Sequence, residues 1–284
     1  MNFRTAVELV FLSALWGSSF LFMRILAPLV GPIATADLRM LIGGLFLGGF
    51  FLIVRFDPGL RRNFRVFLLV GLVNSALPFL LYSLAALVLP ASVEVVINAL
   101  SPAFGAVAGA VFLGESFGTK KVLGLVLGFS GVLLVAGGLD SGKDPWSWLA
   151  LGACVLAPAS YAIGGVLVKR LAREIPPQSL AFGSQLLAGM ALAPLLFLPS
   201  SRGLPTSGSV GLLVLFGVLC SGVAYLIYYR LMQKIGPTKT LTVTFLMTVF
   251  GILWGVLFLA EPVTLPLLGG SLVILAGTSL VTSR

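Results

Sequence analysis

The chain has 284 residues, of which 58% are hydrophobic and 10% are charged, and its mean hydropathy is +1.11. Soluble domains carry about 25% charged residues, so this composition excludes a soluble globular protein. The net charge of +9 does not indicate a nucleic-acid partner, because the basic residues lie in short stretches between apolar segments. We expect no metal or other cofactor, since the sequence has no histidine and since Cys154 and Cys220 each fall in an apolar segment.

Ten segments are apolar and long enough to cross a bilayer, which takes about 20 residues. The first of them resembles a signal peptide but lacks a small-residue cleavage site, so we interpret it as an uncleaved helix. The fold class predicted from these segments is an all-α integral membrane protein with ten transmembrane helices. The predicted spans are residues 6–27, 33–54, 64–88, 91–113, 120–138, 147–169, 178–198, 209–231, 238–259 and 263–282.

The distribution of lysine and arginine predicts the orientation of the chain. If the amino terminus is cytoplasmic, 14 of the 18 basic residues lie on the cytoplasmic side and 4 on the other side. Cytoplasmic loops carry an excess of basic residues, so we expect both termini to be cytoplasmic and the protein to lie in the inner membrane as a multi-pass protein.

The two halves of the chain repeat each other. Residues 101–131 match residues 247–277 at a spacing of 146, with Glu115 on Glu261 and Gly124 on Gly270. The repeat predicts two units, residues 1–140 and residues 141–284, each with five helices. Because five is odd, the second unit must be inverted in the membrane, and inverted repeats are typical of secondary transporters with a central cavity.

Polar and aromatic side chains recur at matched positions in the two halves. Asn98 and Ser101 share a face of the fourth helix, and Thr244 is the repeat mate of Asn98 in the ninth. We predict that such faces line a cavity between the halves. Core packing is the alternative for the matched Trp16 and Tyr161. A membrane-interface belt is the alternative for Tyr82 and Tyr228, which lie near helix ends. The candidate site residues are Trp16, Ser19, Phe79, Tyr82, Asn98, Ser101, Tyr161, Tyr225, Tyr228 and Thr244.

Few charged residues fall inside the predicted spans. Arg24, Asp37 and Arg39 lie near the outer ends of the first two helices, where reaching the surface or pairing with one another would account for them. Glu115 and Glu261 precede turns and are predicted to be structural. No acid is expected at mid-bilayer, so the sequence predicts no proton or sodium site.

Prolines inside the spans are expected to bend or break helices, because each removes a backbone hydrogen bond. The prolines concerned are Pro78, Pro102 and Pro158.

Several motifs resemble those of a known family. They are Trp16-Gly17-Ser18-Ser19-Phe20, Pro32 with Arg39, and Leu113-Gly114-Glu115 followed by Gly124, Gly128 and Gly131, with a second copy at Leu259-Ala260-Glu261-Pro262, Gly270 and Gly277. This doubled set resembles EamA-type members of the drug/metabolite transporter superfamily. Within it, the chain is similar to the aromatic amino acid and paraquat exporter group. The resemblance implies an inner-membrane exporter in which helices 1, 3, 4, 6, 8 and 9 surround a central cavity.

The leading hypothesis is therefore export of amino acids, including aromatic ones, with broad specificity and by alternating access. An exporter of drugs or lipophilic cations is the alternative, and paired acids in the cavity would support it. A phosphorylated cargo would need a fixed cation in mid-span, which the sequence does not suggest. An intramembrane enzyme is disfavoured, because there is no histidine to serve as a general base. The expected partners are small-molecule amino acids and the lipid bilayer, with a monomer as the working expectation.

Overall fold

A computed structural model describes residues 3–139, 145–197, 206–236, 240 and 242–282. Ten helices have the length and hydropathy of membrane spans, which confirms the prediction of ten. The boundary predicted between the two units, between residues 140 and 141, falls within residues 140–144, which are outside the described residues. The helices are α1 (Phe3–Val30), α2 (Pro32–Ile53), α3 (Phe64–Ala85), α4 (Ala91–Leu113), α5 (Thr119–Gly137), α6 (Pro145–Leu171), α7 (Pro177–Phe197), α8 (Ser207–Ile235), α9 (Thr242–Leu259) and α10 (Leu265–Thr282).

The pairs of helices that pack together stay the same when each helix is replaced by its equivalent in the other half of the chain. α1 packs on α9 and α8, and the equivalent helices α6, α4 and α3 make the equivalent pairs, α6 with α4 and α6 with α3. The pair of α2 and α8 likewise matches the pair of α7 and α3. The pairs α2 with α7, α4 with α9 and α5 with α10 map onto themselves. This pattern is that of two inverted five-helix repeats, as the sequence predicts.

The repeated glycines bring α5 and α10 into backbone contact. A Cβ atom at Gly124 would lie 2.5 Å from the carbonyl oxygen of Gly277, and one at Gly131 would lie 2.8 Å from that of Gly270. Any larger side chain would push the two helices apart. Small residues at such positions let membrane helices pack through their backbones, which gives these glycines a structural role in both copies.

Two of the three prolines coincide with irregular backbone. α3 contains a π-helical segment at Leu72–Ala76, just before Pro78, and α8 contains one at the matched position, Gly217–Val223. α4 is interrupted between Asn98 and Ser101, before Pro102. The expectation is confirmed for Pro102, where the helix is broken, whereas α3 and α6 are continuous through Pro78 and Pro158, so a break at those two positions is wrong and a bend there stays a prediction.

The interruption of α4 leaves one backbone carbonyl to be satisfied. Pro102 has no N–H to donate to the carbonyl of Asn98, and the hydroxyl of Ser101 donates to that oxygen at 2.6 Å instead. In the second repeat, the Thr248 hydroxyl donates to the equivalent carbonyl, that of Thr244, at 3.2 Å. Both helices therefore carry a hydroxyl-supported carbonyl at the same point in the repeat.

The two glutamates of the repeat are structural turn residues, as predicted. The backbone N–H groups of Glu115 and Glu261 donate to the carbonyls of Gly109 and Gly255, each at 3.1 Å. The Glu261 carboxylate accepts the N–H groups of the first two residues of α4, at 2.7 and 3.0 Å. The Glu115 carboxylate accepts instead from Lys169 Nζ at 2.7 Å, and this hydrogen bond holds the pKa of Glu115 below its usual range.

Candidate functional site

A cavity of about 940 Å³ lies between the two halves of the bundle. Side chains of α1, α2, α3, α4, α6, α7, α8 and α9 line it. At one end it is lined by Glu115, Lys169 and Arg173, which are exposed residues of the α4–α5 and α6–α7 regions. At the other end it stops at Phe20 and Met23. The cavity therefore opens toward one face of the molecule.

The opposite face is closed by the largest apolar cluster among the described residues. The cluster includes Phe20 and Met23, which also line the cavity, and it extends away from the cavity through buried side chains of eight helices. Its buried members are each 9% exposed or less. Further members include Leu26, Leu89, Val96, Leu151 and Phe216.

All ten candidate residues from the sequence line this one cavity. The structure thus brings together positions that are up to 228 residues apart in the sequence, whereas their role in binding stays a prediction. An interface belt is the wrong interpretation for Tyr82, whose side chain is 1% exposed. The residues are Trp16, Ser19, Phe79, Tyr82, Asn98, Ser101, Tyr161, Tyr225, Tyr228 and Thr244.

Aromatic rings form the cavity wall in a repeated arrangement. The ring of Trp16 on α1 lies 5.8 Å from that of Tyr225 and 5.1 Å from that of Tyr228, both on α8. Its repeat mate Tyr161, on α6, packs against the cluster that contains Phe79 of α3. Each half therefore contributes aromatic side chains from two helices, α1 and α3 in the first half and α6 and α8 in the second. Such a wall suits a cargo with an apolar part.

Asn98 is the centre of a small polar network. Its Oδ1 accepts a hydrogen bond from Tyr82 Oη at 2.9 Å and a longer one from Ser101 Oγ at 3.3 Å. Its amide nitrogen donates to no described residue. Because Asn98 lines the cavity, that N–H group can donate to a solute there.

Arg39 also lines the cavity, and the sequence analysis missed it. The expectation that it reaches the surface or pairs with Asp37 is wrong: Arg39 is 4% exposed, and neither carboxylate oxygen of Asp37 has a hydrogen-bond partner among the described residues. Its Nε donates to Ser221 Oγ at 2.9 Å, and Ser221 is at the middle of α8. A cation therefore does lie within the spans, contrary to the sequence-based expectation.

The burial of Arg39 could have been anticipated from its distance to the start of α2. Arg39 follows Pro32, the first residue of α2, by seven residues, which corresponds to about 10 Å along a helix. That depth is more than snorkelling from a helix end readily covers. Asn74 was missed as well; it lines the cavity and packs on Gly164, where a Cβ atom would lie 2.5 Å from Asn74 Oδ1.

Two buried acids lie outside the cavity. Glu94 and Asp37 are each 0% exposed, and their carboxylate oxygens have no hydrogen-bond partner among the described residues. Arg24 donates to the carbonyl of Ala86 at 2.6 Å rather than to either acid. Within the described part of the chain, no group of three or more histidine, cysteine, aspartate or glutamate side chains could hold a metal ion.

Comparison with known proteins identifies relatives along the whole chain. The model of the EamA-like transporter family matches twice, at residues 4–137 and 147–283. An uncharacterized transporter of Bacillus subtilis (strain 168), YvbV, is 29% identical over 290 residues, covering 99% of this chain and 92% of its own length. Protein PecM of Dickeya dadantii (strain 3937) is 26% identical over 253 residues, covering 87% and 81%.

A solved crystal structure shares the fold. It matches with a TM-score of 0.69 at 18% sequence identity, and the match covers 99% of this chain and 96% of the other. The same ten-helix arrangement therefore occurs in a protein of distant sequence.

Proposed function

The chain belongs to the EamA-like transporter family, and we propose that it exports amino acids of broad specificity, aromatic ones included, by alternating access. The observation that carries this proposal is a central cavity with aromatic walls and a polar network, built from matched positions of both repeats. The proposal starts from the family membership, which makes the chain a membrane-spanning transporter. The cargo, the direction and the mechanism are the proposal.

The lining of the cavity suits a zwitterion with a variable side chain. Hydroxyl groups of Ser19 and Thr244 and the amide of Asn98 supply hydrogen bonds for a polar head. The aromatic rings around Trp16 and Tyr161 supply an apolar wall that can accept side chains of different size. Few fixed polar groups and a wide apolar wall favour broad rather than narrow specificity.

The geometry of the cavity supports alternating access. The open end is lined by Lys169 and Arg173, and the excess of basic residues on that face favours a cytoplasmic location in the inner membrane. With that orientation, the open cavity would be loaded from the cytoplasm. In inverted repeats, exchanging the conformations of the two halves closes one face and opens the other around the same site.

The charged residues that line the cavity argue against lipophilic cations, the alternative class of cargo. A lipophilic cation would be expected to meet acids in the cavity, yet the only carboxylate among the described residues that line it is Glu115, which lies at the open end and pairs with Lys169. The charged group deeper in the cavity is the guanidinium of Arg39. A cationic interior disfavours cationic drugs and favours cargo that carries a negative group.

Reconstitution tests the proposal. Proteoliposomes loaded with one unlabelled amino acid should accumulate several radiolabelled amino acids by counterflow, without any ion gradient. Protein-free liposomes and liposomes loaded with a lipophilic cation are the controls. Counterflow only with the lipophilic cation, or none with any amino acid, would show that the proposed cargo is wrong.

A further inference from the structure

We propose that Arg39 binds the carboxylate of the transported solute, so that the cargo class is small carboxylates with an apolar or zwitterionic remainder. The inference deepens the proposed function and rests on it in one respect: the central cavity must be the transport site. It does not require that the carboxylate belong to an amino acid. The two statements can therefore fail separately.

The first argument is that the charge of Arg39 has no counter-charge. The side chain is 4% exposed, and the ion pairs of the described residues involve Glu8 and Glu115 but not Arg39. Burying a charge without a partner is costly, and ionisable residues inside membrane spans are therefore rare unless they serve a function. A solute carboxylate would supply the missing charge each time the site is occupied.

The second argument is that part of the guanidinium is unused. Nε donates to Ser221 Oγ at 2.9 Å, and Nη2 donates to Ser19 Oγ at 3.4 Å. Nη1 donates to no described residue, and Arg39 lines the cavity. The edge formed by Nη1 and the second hydrogen of Nη2 therefore remains for a ligand. Two parallel N–H groups on one edge match the two oxygens of a carboxylate.

The third argument is that the guanidinium is held in a fixed orientation. Its central carbon lies 3.9 Å from the ring centroid of Phe79 and 4.6 Å from that of Phe216, so it packs against two aromatic rings. Together with the bond to Ser221, these contacts restrict rotation before any ligand arrives. A preorganised group loses less conformational freedom on binding, which favours affinity.

Glycines make this position possible. A Cβ atom at Gly43 would lie 2.5 Å from the Cβ of Ser221, and one at Gly217 would lie 2.6 Å from the Cβ of Ile42. α2 and α8 can therefore approach closely beside the π-helical segment of α8, and Ser221 comes within reach of Arg39. If Arg39 only linked α2 to α8, its hydrogen bond from Nε to Ser221 would be sufficient. The rest of the guanidinium would then not need to line the cavity.

The cavity offers one such site. Among the described residues that line it, the other cations are Lys169 and Arg173, and both are exposed at the open end. A monocarboxylate with an apolar tail fits one fixed cation beside aromatic walls. A dicarboxylate would leave its second charge unpaired, so we expect weaker binding of dicarboxylates.

Paired ligands test the assignment in detergent-solubilised protein by calorimetric titration. L-phenylalanine is compared with L-phenylalaninamide, and 3-phenylpropanoate with 3-phenylpropanamide, so that each pair differs only in the carboxylate. Wild-type protein should prefer the acid in at least one pair. Arg39→Gln should reduce affinity for the acid by about tenfold or more and leave the amide nearly unchanged. Arg62→Gln, which removes an exposed arginine, is the matched control and should change neither ligand.

The outcomes separate the two statements. If the wild type binds 3-phenylpropanoate through Arg39 but binds no amino acid, the carboxylate site stands and the amino acid proposal fails. If Arg39→Gln weakens the acid and the amide equally, the residue is only structural and the inference is overturned. It is also overturned if the wild type prefers neither acid to its amide. Should Arg39→Gln not fold, Arg39→Lys keeps the charge but not the fork, and it should reduce the preference for the acid.

Discussion

Replacing Asn98 by alanine separates the stability of the polar network from its use by the cargo. The Tyr82 hydroxyl, on a side chain that is 1% exposed, loses the acceptor that it reaches at 2.9 Å. Leaving a buried hydroxyl without a partner costs about 1–3 kcal/mol of stability. Ser101 keeps its 2.6 Å bond to the backbone carbonyl of residue 98, so α4 itself should stay intact.

The same change removes the free amide N–H that faces the cavity. One lost hydrogen bond to a neutral group is worth about 0.5–1.5 kcal/mol, which corresponds to a loss of affinity of about 2- to 13-fold. The loss should be shared by all amino acids that bind, because it concerns the polar head. Tyr82→Phe is the matched control: it removes the hydroxyl but keeps Asn98, so affinity should change little.

Calorimetric titration and thermal unfolding of the two variants give the answer. The reasoning is refuted if Asn98→Ala is folded and binds amino acids as the wild type does. It is also refuted if Tyr82→Phe loses as much affinity as Asn98→Ala, since Asn98 would then act only by holding Tyr82.

Three further predictions follow from the packing. Trp16→Ala should weaken binding of phenylalanine about 2- to 13-fold more than binding of serine in titrations, because it removes an aromatic contact. The ion pair of Glu115 and Lys169 is exposed and should stabilise the folded state by less than about 1 kcal/mol. Since the pKa of Glu115 is lowered in the folded protein, this contribution is present at neutral pH and disappears as the pH falls through that pKa. The difference in Tm between the wild type and Glu115→Gln should therefore vanish in acid. Gly131→Ala should lower stability by about 1–3 kcal/mol in thermal unfolding, whereas Gly152→Ala, with no atom within 4 Å of its Cβ position, should not.

The fold was predictable because its determinants repeat along the chain. Segment length and hydropathy predict ten spans, and the spacing of 146 between Glu115 and Glu261 predicts two equivalent turns. The glycines at 124 and 270 carry the same signal, since they lie where α5 and α10 touch. Each of these features depends on neighbours in sequence or on the repeat, both of which a single sequence displays.

The position of Arg39 was not predictable in the same way. Counting along α2 gives its depth, but its burial depends on how closely α8 approaches, which is set by Gly43 and Gly217 in different repeats. Which face of the cavity is open was also not predictable from the sequence. The repeats have the same sequence pattern at both faces, so the choice between two related states depends on small packing differences rather than on a motif.

The most direct test of the central claim is the accessibility of one cavity position from each side of the membrane. Gly165 lines the cavity and has no atom within 4 Å of its Cβ position, so Gly165→Cys should fold. The native Cys154 and Cys220 are both 0% exposed, and the wild type therefore measures background labelling. A membrane-impermeant thiol reagent should label Gly165→Cys from the cytoplasmic side, and a transported amino acid should slow the reaction several-fold. Equal labelling from both sides, or labelling that no transported amino acid affects, would contradict a central site with alternating access.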